Sequence, residues 1–454
     1  MIVACLDIGS TWTKGATFRV DGETVSLLAR AARPTTVVNL ADGFFAVLGD
    51  IVEGDPLAQL HDGRLSLQYS SSAKGGLAVA AIGLVPEMTL EIGKIAAQSA
   101  GARLSQVFAY HLTEDDIAGL EASPPDILLF AGGTDGGNTN YVRANAEAIG
   151  RSSIDCEIVY AGNRSVAAEV GRLLAGKRLR IVDNLMPVFN EPNPDPARDA
   201  IRTIFLETIV KGKGLDRIMA ATGAAPVPTP FAVLEYTRAI HAHVPEWDSF
   251  VLFDMGGATT DVYSVHQEMP DLGTVLRGLP EPEVKRTVEG DLGMRVSART
   301  TVEAGEPEFG DAAEALRCYA ERVVAQPEFL PLTPEDAALD TRLAAVCVGQ
   351  ACRRHVGRLA TIYTPDGEMK IQTGRDLRQV ARVIGSGGWL ARAADFDPAP
   401  WFAQHAVDAR GRLVLFPQHF SYYRDADYLF PLLANLARAF PAAAAQAGIR
   451  LLQD

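Results

Sequence analysis

Twice in this chain an apolar run ends in aspartate, breaks into a glycine-bearing turn rich in hydroxyls, and resumes as a second apolar run. The first copy reads "ACLDIGSTWTKGATFRV" from Ala4, and the second reads "SFVLFDMGGATTDVYSV" from Ser249, about 250 residues further on. Each reads as strand, turn and strand, so the second repeats the hairpin design of the first. In the opening copy "DGE" at Asp21 to Glu23 turns the chain again, into a third strand, "TVSLLA". Asp7, Gly9, Ser10, Thr11, Thr13 and Lys14 therefore sit on or beside the first hairpin tip. Two readings fit such a tip. One is a polar β-turn. The other is a phosphate-holding turn, in which glycine lets the backbone approach a ligand, hydroxyls donate to phosphate oxygens, and the aspartate faces a metal-bound water. In the second copy the same parts are Asp254, Gly256, Gly257, Thr259 and Thr260. A third element, "ARVIGSGGWLAR", is an apolar strand running into Gly385, Ser386, Gly387 and Gly388 and then a helix. Such a turn leaves room for a flat base and ribose.

Between the hairpins the pattern becomes a strict alternation of strand and helix. "LAVAAIGLV" precedes a helix begun by Pro86 and ended by Gly101, and "SQVFAYH" precedes helical "TEDDIAGLE". "DILLFA" runs through "GGTDGGN" into another helix, "DCEIVYA" precedes "SVAAEVGRLLAG", and "LRIVDNL" closes the series. Five strands alternating with four helices over roughly 110 residues read as a doubly wound, flavodoxin-like insertion at about 75–185. "NEPNPDPARDA" is an extended connector, and "PTPFAVLEYTRAIHAH" is a helix begun by prolines. Residues from about 300 to 360 read as mostly helical. "LFPLLANLARAFPAAAAQAG" reads as one C-terminal helix, amphipathic over its first half.

Composition narrows the function classes. At 454 residues, 48% hydrophobic and 22% charged, the chain has room for two or more cores. The net charge of −14 argues against nucleic-acid and anionic-membrane surfaces, which need clustered Lys and Arg. No apolar stretch reaches membrane-span length, and no secretory signal is visible, so a cytoplasmic location is expected. The five cysteines are scattered, with no zinc-ligand spacing, and reduced thiols are expected.

In order and spacing, the two strand-exit aspartates and the later glycine turn resemble the phosphate-1, phosphate-2 and adenosine motifs of the acetate/sugar kinase, heat-shock-protein-70 and actin superfamily. One departure is Ala258, which stands where many phosphate-2 loops carry a third glycine. "DIGSTWTK", with Lys14, resembles the branch of activators and reactivases of radical and cobalamin enzymes. "SSSAKGGLAVAAIGLVPEMT", "LLFAGGTDGGN", "FLETIVKGKGLD", "PTPFAVLEY" and "VEGDLGMRVSA" are similar to the accessory family written GlmL or MutL, which accompanies adenosylcobalamin-dependent glutamate mutase and related aminomutases.

The resemblance implies an α/β, actin/Hsp70-like ATPase with two RNase-H-like lobes. The first lobe would take residues 1–74, the insertion 75–185, a connector returning to the first lobe 186–249, and the second lobe 250–454. It implies a chaperone that hydrolyses ATP with Mg²⁺ to replace damaged cobalamin in its mutase partner. Asp7 and Asp254 would hold magnesium through water, with Glu289 as a further catalytic carboxylate. Gly9, Ser10, Thr11, Lys14, Gly256, Gly257, Thr259 and Thr260 would bind phosphates, and Gly385, Ser386, Gly387 and Gly388 the adenosine. For Glu289 and Asp291 the residues alone also allow a helix N-terminus that favours acids.

Other signals are weaker. Gly171, Gly176 and Lys177 give GxxxxGK, but Arg178 replaces the magnesium-holding hydroxyl and no strand precedes. "GGTDGGN" suits either a ligand loop at a strand end or a tight turn with a helix cap at Asn138, and as a loop on a rigid scaffold it is a candidate contact for the mutase. The insertion lacks the Asp-x-His-x-x-Gly run of cobalt-ligating domains, which disfavours direct ligation. Rival functions are a small-molecule kinase of the same superfamily, a dehydratase activator bridging an iron–sulfur cluster, which the scattered cysteines disfavour, and a nucleotide-gated scaffold without turnover.

Overall fold

A computed structural model describes residues 1–72, 77–209, 214–365 and 367–453. The chain divides into two compact units, Met1–Gly75 with Lys213–Asp454, and Gly76–Gly212. The expected 74/75 boundary and the middles of "SSSAKGGL" and "FLETIVKGKGLD" lie outside the described residues. The expected connector 186–249 is divided between the units: the helix Asp195–Ile209 falls in the inserted one and the helix Thr229–His243 in the other.

The strands begin with β1 (Ile2–Ile8), β2 (Trp12–Asp21), β3 (Thr24–Pro34) and β4 (Leu65–Ser71). The inserted unit supplies β5 (Ala78–Gly83), β6 (Arg103–Ala109), β7 (Ile127–Phe130), β8 (Glu157–Tyr160) and β9 (Arg178–Ile181). There follow β10 (Val227–Pro228), β11 (Phe250–Met255), β12 (Thr260–Val265), β13 (Thr274–Arg277) and β14 (Val284–Glu289). The last are β15 (Arg358–Thr364), β16 (Gly367–Thr373), β17 (Arg382–Ser386), β18 (Leu413–Val414) and β19 (Ser421–Arg424).

The larger unit is built on two five-stranded sheets, ordered β10-β4-β1-β2-β3 and β14-β12-β11-β17-β19. Each has an antiparallel hairpin continued by an antiparallel third strand, with two parallel strands on the other side of the first. That is the RNase-H-like arrangement, and its occurrence twice in one unit is the actin/Hsp70-like architecture. Central position explains the sequence: β1 and β11 are covered on both faces and so read as continuous apolar runs. Edge strand β3 is mostly exposed. A smaller sheet, β13-β16-β15-β18, is appended to the second half.

Two cores fix which way the aspartates point. Val3 and Cys5 of β1, Phe250 and Leu252 of β11, and the helices Thr229–His243, Phe430–Ala437 and Pro441–Leu451 share one cluster. Val251, Phe253 and Met255 face another, against helices that include Pro334–His355. Since side chains alternate along a strand, Asp7 follows Val3 and Cys5, and Asp254 follows Phe250 and Leu252, onto the shared side. The single C-terminal helix expected from sequence is two, broken before Pro441, whose ring cannot continue a helix. Its first half is buried on every face rather than amphipathic, because it packs within the shared cluster. After the Gly385–Gly388 turn there is only a short helical turn, Leu390–Arg392, and Phe396 folds back against Trp389 with ring centroids 5.4 Å apart.

The inserted unit is a parallel sheet ordered β6-β5-β7-β8-β9, the flavodoxin-like order. Its core gathers Ile82, Leu128, Phe130, Val142, Ile149, Ile158 and Tyr160.

Candidate active site

The two repeated turns close in the same way. Gly9 N donates to Trp12 O at 3.0 Å, and Gly256 N donates to Thr259 O at 2.8 Å. A Cβ at Gly9 would lie 2.7 Å from Trp12 O, so this tip cannot carry a side chain without opening. The tips also approach each other: Thr11 Cγ2 lies 3.5 Å from where a Cβ on Gly257 would stand. The carbonyls of Gly256, Gly257 and Ala258 are taken by Met294 N, Arg295 N and the Ser297 hydroxyl, at 3.1, 2.8 and 2.7 Å. Arg295 is itself anchored by a two-pronged pair with the buried Asp340 carboxylate, both contacts 2.9 Å, and Tyr319 donates to the same carboxylate. The "GDLGMRVS" run is therefore a cradle for the second turn.

Asp7 is 3% exposed, and its Oδ1 accepts from Ser70 Oγ at 3.1 Å and Thr229 Oγ1 at 2.6 Å. Its other oxygen lies 3.8 Å from Lys14 Nζ, its cross-strand neighbour. At the equivalent place in the second hairpin Asp254 faces Asp261, not a lysine. Asp261 is held by Arg286, with Nε 2.8 Å and Nη2 2.5 Å from Oδ1. Burial, and then the Asp261 charge, push the Asp254 carboxyl up to about 7, against the pull of Lys14. Burial raises Asp261 as well, with Arg286 opposing it. A fourth carboxylate, Asp425, leaves β19 and is pushed up to about 6 by burial. Lys14 sits among these groups with its ammonium 3.9 Å above the Tyr428 ring. Burial lowers its affinity for a proton, while Asp7, Asp254 and Asp425 oppose that effect. The result is a buried cluster of acids around one lysine, beside two turns that meet.

Not every sequence candidate belongs to it. Thr259 donates to Asp261 Oδ2 at 3.4 Å, but Thr260 is the first residue of β12 and turns the other way. It is fully buried, and its hydroxyl donates to Leu292 O at 2.9 Å. Glu289 is the cross-strand partner of Thr260, so the register sends it to that same opposite face. Its carboxylate pairs with Arg354 Nη1 at 2.6 Å, and Asp291 grips the same guanidinium. Burial pushes Glu289 up to about 7 despite that ion pair. Its raised proton affinity thus reflects burial on the face of the sheet opposite the Asp254–Asp261 pair, against the pull of Arg354. Gly385 O accepts from Asp425 N, and Ser386 Oγ donates to Asp425 Oδ2, both at 2.9 Å. Gly387, with φ of +120°, lies against the second turn: a Cβ there would be 2.1 Å from Met255 O. Gly388 is exposed, with nothing within 4 Å of a Cβ position.

Sequence reading missed Ser70, Thr229, Asp261, Arg295, Ser297, Asp425 and Tyr428, and with them Asn435, whose Nδ2 donates to Ser70 Oγ at 2.8 Å. Asp425 carried the same signal as Asp7 and Asp254, an acid at a strand exit. Asp261 shared with Lys14 the place seven residues after the strand-exit aspartate.

In the inserted unit the Gly132–Asn138 loop is pinned from below. Asn184 Nδ2 donates to Gly133 O and Asp135 Oδ1, and Asn163 Oδ1 accepts from Gly136 N. Asp135 N donates to Pro187 O. A cavity of about 430 Å³ beside it is lined by Asp135, Gly162, Arg164, Asp183 and Asn184, among others.

A family profile described as "MutL protein" matches residues 3–451. Protein MutL of Clostridium tetanomorphum is 37% identical over 455 residues, covering 96% of each chain. Among solved structures, a nucleotide-free acetone carboxylase superposes with a TM-score of 0.36 and 12% identity, over 96% of this chain and 70% of that one. A glycerol dehydratase reactivase gives 0.35 and 11%, over 96% and 100%. Structural likenesses this low carry no weight for function. The family match is of another order: with a profile that spans nearly the whole sequence and a relative alignable end to end, the chain belongs to the MutL family.

Proposed function

We propose that this protein is an ATP-hydrolysing reactivating factor for an adenosylcobalamin-dependent mutase of the glutamate mutase or aminomutase kind. The observation that carries the reading is the meeting of the two glycine turns, with their strand-exit aspartates sharing the neighbourhood of Lys14. The partner is read from the resemblance of this family's sequence runs to the accessory proteins of adenosylcobalamin-dependent mutases. Ser10, Thr11, Thr259 and the Lys14 ammonium are assigned to phosphate oxygens, and the turn ending at Gly388 to adenosine. Asp7 is oriented by Ser70 and Thr229, and Asp254 by its place at the end of β11.

The donor set suits magnesium, a hard cation that prefers oxygen ligands. Among the described residues no three His, Cys, Asp or Glu side chains converge to hold a metal directly. Asp7 and Asp254 would accordingly hold the ion through water, where it supplies charge neutralisation at the phosphates. Closure of the two halves around nucleotide changes partner affinity only if the partner binds the two states unequally. The inserted unit, with a core of its own, is assigned to partner contact.

The test is steady-state phosphate release from MgATP, together with co-purification of the cobalamin mutase with and without ATP. Asp254→Asn should lower turnover roughly 10²–10³-fold in a folded protein, the effect of losing one preorganised charge. Nucleotide binding without phosphate release would make the protein a gated scaffold. Phosphoryl transfer to a polyol or acid would make it a kinase.

A further inference from the structure

Asp425 sits where the chain leaves the second sheet for a helix that reaches the first. Its carboxylate, on a residue 3% exposed, accepts three hydrogen bonds: from Leu429 N at 2.7 Å, Phe430 N at 2.9 Å and Ser386 Oγ at 2.9 Å. Two of these donors start the helix Phe430–Ala437, and the third belongs to the Gly385–Gly388 turn. Its own N–H donates to Gly385 O at 2.9 Å, so turn and helix are tied through one residue. Near its other end the helix delivers Asn435, fully buried, whose Nδ2 donates to Leu6 O at 2.9 Å and Ser70 Oγ at 2.8 Å. Ser70 Oγ in turn donates to Asp7 Oδ1 at 3.1 Å. A continuous hydrogen-bonded line therefore runs from the Gly385–Gly388 turn, through Asp425, the helix and Asn435, to the strand-exit aspartate of the first hairpin.

We infer that Asp425 and Asn435 are positioning residues that couple occupation of the Gly385–Gly388 turn to the setting of Asp7 in the opposite half of the unit. The inference rests on the reading of that turn as the adenosine site. A buried carboxylate that loses one of three donors is costly, so Asp425 holds the turn and the start of the helix to each other. The helix is short and packed on every face, so a shift of its first turn would be passed along it to Asn435. A spatial line becomes a coupling only if both ends respond together.

Amide hydrogen exchange on the full chain decides it, first without nucleotide. Asp425→Asn should speed exchange at Leu429 and Phe430 roughly tenfold and also, through Asn435, in Ile2–Ile8 and Leu65–Ser71. Ser386→Ala should do the same more weakly, and in the double variant the two effects should fall short of additive. Faster exchange confined to Leu429 and Phe430 would make Asp425 a local cap and overturn the coupling. ADP with Mg²⁺ added to the wild type should slow exchange in both sets of residues. If calorimetry shows ADP bound while protection stops at the turn, the coupling fails and the ATPase reading stands. If ADP does not bind, the ATPase reading fails and the nucleotide-free variants alone decide whether the line transmits.

Discussion

Asp254→Asn should make the larger unit more stable above neutral pH while stopping its chemistry. Folding moves the Asp254 carboxyl from its ordinary 3.8 to about 7. Between those values the folded chain holds a proton that the unfolded chain has released, so stability falls as pH rises through this window. Three units at about 1.4 kcal/mol each set a ceiling of about 4 kcal/mol. Asp254 as a residue keeps some exposure and shares its penalty with Asp261, which brings the expected cost to about 2 kcal/mol at pH 8.5. Asparagine has nearly the same shape and no charge to bury. All four tryptophans, Trp12, Trp247, Trp389 and Trp401, lie in this unit, so fluorescence during urea unfolding reports it alone. With EDTA and no nucleotide, the variant should match the wild type at pH 4 and exceed it by about 2 kcal/mol at pH 8.5. Glu289 and Asp425 titrate in the same range but are common to both proteins, so they cancel in the difference. Parallel profiles from pH 4 to 8.5 would refute the idea that this charge is held at a cost. A natural residue that weakens its own fold is what a site selected for chemistry would keep.

Gly387→Ala should lower the unfolding midpoint, since its Cβ meets Met255 O and its backbone is left-handed, whereas Gly388→Val should fold normally and weaken ADP binding in calorimetry. Equal stability of the two variants would undo that distinction. Arg295→Leu strands the buried Asp340 carboxylate and should cost about 3–5 kcal/mol in the same urea assay, with much of the loss regained on adding Asp340→Leu. Of the five cysteines only Cys318 is exposed, so a native thiol titration should find one fast-reacting group and denaturant should release the rest.

Much of the architecture was legible because it depends on local pattern. The repeated hairpins and the strand–helix alternation are written in consecutive residues, and the sheets follow them. The site was legible only at its turns. Ser70 and Thr229 reach Asp7 across 63 and 222 residues, and Asn435 bonds Leu6 across 429, distances over which a sequence carries no periodic signal. Thr260 and Glu289 failed for a different reason. Both lie within the motif stretches, but a strand reverses face at every residue, and one step separates Thr259 from Thr260. The break before Pro441 lies in consecutive residues, since a proline that can begin a helix cannot continue one.

The two hairpins superimpose in design, yet seven residues after each strand-exit aspartate one carries Lys14 and the other Asp261. An assembly of two identical halves must place the same side chain at both positions, so it could have two lysines or two acids but never one of each. A single polypeptide that contains both halves is released from that constraint. Its two halves can therefore answer the strand-exit aspartate differently, with Lys14 against Asp7 in the first and Asp261, itself held by Arg286, against Asp254 in the second. Which residue stands beside each strand-exit aspartate is thus a property of covalent continuity as much as of either strand.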